Sequence, residues 1–274
     1  MRVLGLCYSI GMVCRVFGYS RQGYYKRIKL EEKREEQEKQ VLEEVRKIRK
    51  RQPCVGVKKI HKELYRRGKQ IGRDRLFETM RRNNLLIRPR RNYVRTTNSK
   101  HRFRAYNNLI REIQIIRPEQ VYASDITYIA TEEGYSYLSL ITDMYSRKIV
   151  GYELSKSLGI EGSMKALKKA LRGVKKTDKL IHHSDRGIQY CSNEYVKLLK
   201  KKKIKISMTE ENHVYENALA ERVNGILKNE FGLGKRLRSY KIAKKMVKEA
   251  VEIYNKERLH MSLKYETPSE KHAA

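Results

Sequence analysis

VYASDITYIA (121–130), GYSYLSLITDM (134–144) and RKIVGYELS (147–155) decide the fold. Each is short, rich in β-branched and aromatic residues, and bounded by turn-forming pairs, Glu133-Gly134 and Tyr145-Ser146, so the three read as consecutive antiparallel strands. Downstream the texture alternates. EGSMKALKKALRGV (161–174) is a helix, KLIHHSD (179–185) a short buried strand, SNEYVKLLKKKK (192–203) a helix and IKISMT (204–209) a strand. ALAERVNGILKNEF (218–231) and AKKMVKEAVEIYNKER (243–258) are two further helices. A run of antiparallel strands followed by alternating helix and strand gives an α/β fold, a mixed sheet flanked by helices.

Upstream the pattern is helical. Residues 1–30 read as a short helical element with a turn at Gly18-Tyr19 and an N-cap at Ser20. EEKREEQEKQ (31–40) reads as a solvated helix face, and Val41, Leu42, Val45 and Ile48 give that helix its apolar stripe until Pro53 and Gly56 end it. Two short amphipathic helices follow around a turn marked by Gly68 and Gly72. Val57, Ile60 and Leu64 form one apolar face, and Leu76, Phe77 and Met80 the other. Three helices in this order predict a helix-turn-helix or winged-helix module over 31–90. Its second short helix exposes Arg73, Arg75, Arg81 and Arg82 to DNA, and Lys58 and Lys59 join them as candidate phosphate contacts. RPRRNYVRTTNSKHRFR (88–104) has little apolar content and reads as a basic linker, spanning 91–117, that follows phosphates. The domain expected after it covers 118–274.

Charge fits this division. The 274 residues carry 63 Lys+Arg against 31 Asp+Glu, a net charge of +32. Of this, +21 falls on residues 1–105 and +11 on the remainder. Such an excess is self-repelling without a polyanion, which argues for nucleic acid and against an ordinary metabolic enzyme. Cys7, Cys14, Cys54 and Cys191 show neither C-x-x-C nor metal spacing and read as free thiols. The longest uncharged stretch, Val3 to Cys14, is short of the ~18 residues a membrane span needs. A cytoplasmic, nucleoid-associated protein is expected.

Three carboxylates stand out. Asp125 lies inside an apolar strand, Asp185 ends a short strand where the chain turns at Gly187, and Glu221 lies on a helix after a gap of 35 residues. An unpaired buried charge costs several kcal/mol, ~3–5, and hard divalent cations are one way to offset it. Helical periodicity puts Lys228 nearly on the face of Glu221, flanked by Asn217 and Asn224, within reach of a phosphate. Glu230 faces the opposite side and is a poor ligand. Asp143 is read as the cap of the Tyr145-Ser146 turn. His183 is a candidate for a scissile phosphate, although packing is the plainer role for it and for His182. His260 is assigned to orienting the C-terminal segment.

SDITYI (124–129), HSDRGIQY (183–190), ENALAERVNGILKNE (216–230) and YNKERLHMSLKYETP (254–268) together resemble the DDE core of retroviral-integrase-like transposases. More narrowly, with SRQGYY (20–25) and PCVGVKKI (53–60), the chain resembles the second-frame transposase of bacterial insertion sequences that use two overlapping frames. The resemblance implies an RNase-H-like fold and two Mg²⁺ ions, or Mn²⁺, held by Asp125, Asp185 and Glu221. It implies cleavage and strand transfer at element ends during transposition and integration. The partners implied are double-stranded DNA, both terminal inverted repeats and target, a homo-oligomer of two or more copies in the synaptic complex, and a first-frame product fused to or acting with this chain. No membrane partner is implied. Tyr122 stands where the group usually has Trp, and no leucine zipper is present. A ribonuclease on the same fold and a non-catalytic DNA-binding accessory subunit are the alternatives. The complete carboxylate set favours the enzyme.

Overall fold

The computed structural model describes residues 2–3, 6–7, 9–87, 103–174, 176–210 and 217–274, with side chains from Ser9 onward. The chain forms two compact units. One comprises Met1–Lys50 and Ile60–Leu86, the other Arg51–Lys59 and Ile87–Ala274.

In the smaller unit, β1 (Arg2–Val3) and β2 (Leu6–Cys7) pair as a hairpin. α1 (Ile10–Val16) follows, capped by Ser9, whose Oγ accepts the Met12 N–H. The hairpin corrects the expectation that this region is helical throughout. α2 (Arg21–Arg51) then runs unbroken, and Ser20 accepts the Gly23 N–H at its start as expected. The expected boundary at residue 30 therefore falls inside a helix: strong helix formers fill 26–51, and no Gly or Pro interrupts them. α3 (Val57–Arg66) and α4 (Arg73–Arg82) are joined through Gly68, at φ +71, a left-handed conformation that suits glycine. Val41, Val45, Ile48, Ile60, Leu64, Leu76 and Met80 form the core of this unit. Phe77, expected in that core, is exposed, because Leu76, Thr79 and Met80 complete the inward stripe. The expected linker lies outside the described residues as far as 102.

The larger unit is built on a five-stranded sheet. β3 (Val121–Thr131), β4 (Gly134–Asp143) and β5 (Ile149–Ser155) are antiparallel neighbours, while β6 (Ile181–Ser184) and β7 (Lys205–Met208) add in parallel beyond β3, giving the order β5-β4-β3-β6-β7. Asp143 caps the β4–β5 turn, accepting from Ser146 N and Oγ and from Glu119 N.

Alternation splits the apolar residues between two faces. Ile129, Leu138, Leu140 and Leu154 pack under α8 (Ala218–Glu230) and α9 (Tyr240–Lys256). Tyr122 and Ile141 pack on the other side, with α5 (Ile160–Ala170), α6 (Ile188–Cys191) and α7 (Asn193–Lys201). Gly151 lets α5 lie close to β5, since a Cβ there would meet the Ala166 carbonyl at 2.3 Å. Tyr122 is fully buried, so it fills an apolar position as its sequence context predicts. The chain closes with α10 (Pro268–Ala273), held by a Thr267/Glu270 capping box. Among the described residues, no helix is long and apolar enough to cross a membrane.

Candidate active site

Asp125 is an odd-numbered residue of β3 and shares the face of Ile129, beneath α8. Its Oδ1 accepts the Ile126 N–H at 2.8 Å, and its Oδ2 accepts Nδ2 of Asn224, one turn after Glu221 on α8, at 2.7 Å. Burial pushes the Asp125 carboxyl up to about 7. The negative charges of Asp185 and Glu221 add to that rise, and the two hydrogen bonds oppose it.

Asp185 is the first residue beyond β6. β3 and β6 are parallel with Ser124 opposite Ser184, so the next step along each strand brings Asp125 and Asp185 side by side. The Gly187 N–H donates to Asp185 Oδ1 at 3.0 Å and fixes that carboxylate at the strand end. A Cβ at Gly187 would come within 2.9 Å of the same oxygen, which is why the turn carries glycine. Glu221 stands exposed on the first turn of α8. Among the described residues, no three His, Cys, Asp or Glu side chains are gathered closely enough to enclose a metal. What the fold assembles is an adjoining pair of aspartates with a third carboxylate in electrostatic reach. That donor set fits a hard divalent cation: all its ligands are oxygens, and its surplus negative charge already burdens Asp125.

The neighbours on α8 divide. Lys228 lies with its Nζ 5.1 Å from the centre of the Tyr128 ring; burial lowers its pKa, while the charge of Asp125 works in the opposite direction. Asn217 and Asn224, assigned to DNA, are both buried and turned to protein: Asn217 donates to the Ser124 carbonyl at 3.4 Å, and Asn224 holds Asp125. These are corrections. The asparagines face the sheet because α8 lies directly on β3.

Two more assigned DNA contacts are overturned. His183 is fully buried and bonds Ser207 Oγ through Nδ1 at 2.9 Å, because both faces of β6 are covered. Lys59 is enclosed with Glu230, its Nζ 3.1 Å from Oε1. Glu230 also receives a bidentate pair from Arg258 at 2.7 and 2.8 Å, and its carbonyl accepts the Cys54 N–H. Burial would raise the Glu230 carboxyl, but Arg258 and Lys59 together hold it below the usual carboxylate range. Lys59 is itself held below its usual value by burial and by Arg258, so the bidentate arginine is the main counter-charge. Lys58 is exposed.

On α4, Arg73, Arg81 and Arg82 are 68, 65 and 63% exposed, each near one carboxylate. Arg75 turns inward to Glu38, Gln37 and the Arg34 carbonyl. The sequence reading missed a buried network behind Asp125. Ser124 Oγ and Tyr195 OH lie 2.7 and 2.9 Å from Nε2 of His182, which burial lowers to about 3. His260 packs edge-on to Tyr254 at 5.0 Å, and its backbone pairs with Glu266 and Tyr265, consistent with ordering the C-terminal segment.

Two integrase core domain families match residues 116–213 and 202–268. The chain is 37% identical over 256 residues, covering 92% of itself and 94% of its relative, to the insertion element IS600 uncharacterized 31 kDa protein of Shigella sonnei. It is 29% identical over 262 residues, covering 92 and 90%, to the transposase InsF for insertion sequence IS3A of Escherichia coli strain K12. Among solved structures, the simian T-cell lymphotropic virus intasome in complex with a PP2A regulatory subunit, B56 gamma, aligns with a TM-score of 0.50 at 17% identity. The alignment covers 78% of this chain and 70% of that one, a likeness of fold.

Proposed function

Because this chain belongs to the IS3-type insertion-sequence transposases with an integrase core, and so cleaves and joins DNA strands, we propose that Asp125, Asp185 and Glu221 are the carboxylates that do so. The observation that carries this reading is the half-buried Asp125 with a second aspartate beside it and a helix-borne glutamate within electrostatic reach. The three residues would hold two Mg²⁺ ions. Bound there, the ions supply Lewis acidity for attack on a phosphodiester by water and then by the freed 3′-hydroxyl.

The chain's own groups do the rest. Asn224 orients Asp125 by donating to Oδ2, leaving Oδ1 fixed by the Ile126 amide. Gly187 holds Asp185 at the end of β6. The Lys228 ammonium, on the same helix as Glu221 and in the field of Asp125, binds a phosphate next to the carboxylates. Arg73, Arg81 and Arg82 on α4, with Lys58, bind the backbone of element-end DNA, and the module over α2–α4 acts as the helix-turn-helix. The working form is a homo-oligomer that brings two element ends together, acting with or fused to a first-frame product. Incubating the chain with duplex element-end DNA and Mg²⁺ tests this: nicked and joined products should appear, and should vanish with chelator. Products that persist without divalent cation contradict the metal reading.

A further inference from the structure

α2 spans 31 residues, ~46 Å at the helical rise, yet its buried residues, Val41, Val45 and Ile48, all lie in its second half. From Arg21 to Gln40 no residue is buried among the described residues. Gln37 and Glu38 are tied to the Gln70 carbonyl and to Arg75 and Arg82, and a helical stretch as long as Arg21 to Lys33 with no buried residue is marginal in water unless something packs on it.

The 3.6-residue period shows what is on offer. Val41, Val45 and Ile48 define the inward face, and Arg21, Tyr25, Ile28, Lys29, Glu32 and Glu36 lie on the opposite one. Tyr25 is 50% exposed there, and Val16, Phe17 and Tyr19, just before the helix, are more exposed still.

The charge on this helix is polarised. Arg21–Leu30 holds four basic residues and no acidic one, whereas residues 31–38 hold five glutamates against Lys33 and Arg34; Glu31 pairs with Arg27 and Glu38 with Arg75 and Arg82, so Glu32 and Glu36 carry the acidic half of the outer face. In a protein of net charge +32, such an acidic run is a marked local reversal. Two α2 helices side by side in parallel would set like charge on like. In antiparallel order each basic half meets the other's acidic half, and two-fold symmetry makes the match twice. A crossing between residues 29 and 32 sets Lys29 of one copy against Glu32 of the other, with Tyr25 and Ile28 supplying apolar area.

We propose that the outer face of α2 is a self-association surface, pairing antiparallel with α2 of a second copy of this chain. It gives the oligomer proposed above a specific interface and rests on that reading, not on the catalytic one. Sedimentation of the full chain without DNA tests it. Wild type should dimerise, and reversing either half alone, by Arg21→Glu with Lys29→Glu or by Glu32→Lys with Glu36→Lys, should weaken the dimer at least ~10-fold. Combining both reversals in one chain, or mixing the two variants, should restore association. Rescue excludes simple misfolding, which circular dichroism checks independently. A monomer at every concentration, or reversal without rescue, overturns the interface. So does a dimer indifferent to these charges, which leaves the oligomer reading standing. Strand cleavage, scored separately, reports on the catalytic reading.

Discussion

Asp125 occupies a position where a carboxylate is costly until its charge is shared, and Asn224 is the side chain that holds it there. Asn224→Ala should lower strand cleavage ~10-fold and raise the Mg²⁺ concentration needed for half-maximal rate, whereas a merely structural asparagine would leave that concentration unchanged. The strand position of Asp125 and the turn after Asp185 were legible in the sequence, because an aspartate inside an apolar run and an Asp-x-Gly strand end are both unusual. The hydrogen bond from Asn224 was not, since helix periodicity gives a face but not its partner. His183 misled for a related reason: β6 is covered on both sides, so no alternation separates its inward from its outward residues.

Buried histidines also make stability depend on pH. His182 and His260 are held neutral by burial, at about 3 and about 2 against an ordinary 6.5. Above pH 6.5 neither folded nor unfolded chain protonates them. Below it the unfolded chain takes up two protons that the native state refuses, so their contribution is lost as pH falls, by ~1.4 kcal/mol per pH unit for each. Urea unfolding between pH 5 and 7 should show this decline, and His182→Phe or His260→Phe should each flatten it by about one proton.

At the scale of elements, α8 carries Glu221, Asn224 and Lys228 along one face and Glu230 on the opposite face, at its C-terminal end. The Glu230 pair with Arg258, only 3% exposed, anchors that far end to the segment after α9, and Arg51 and Gln52 reach Glu257 beside it. Removing the carboxylate with Glu230→Ala strands a buried guanidinium and should destabilise the larger unit by ~3–5 kcal/mol in denaturant unfolding. Glu230 read correctly from sequence as a poor ligand, but its partners come from 28 residues downstream and 171 upstream, separations that no local pattern carries. The sheet and its long helices were legible because their periodicities are sustained. The two-residue strands of the N-terminal hairpin and the four-residue α6 are too short to show a period. α10 carried a readable signal, the Thr-Pro-x-Glu capping box, that the helix assignment passed over.

Across the whole molecule, the +32 charge is the electrostatic counterpart of DNA, and its bias toward the first 105 residues matches exposed arginines on α4. Replacing Arg73, Arg81 and Arg82 with Ala should flatten the slope of log affinity against log salt by ~2–3, about 0.9 for each phosphate no longer neutralised. An unchanged slope in a filter-binding titration would take α4 off the DNA backbone. Catalysis by the three carboxylates is tested by strand cleavage and joining on element-end DNA with Mg²⁺, using Asp125→Asn, Asp185→Asn and Glu221→Gln. Each isosteric variant should remain folded and bind DNA while its rate falls at least ~100-fold. Full activity in any one of them would contradict its place among the carboxylates that do the chemistry.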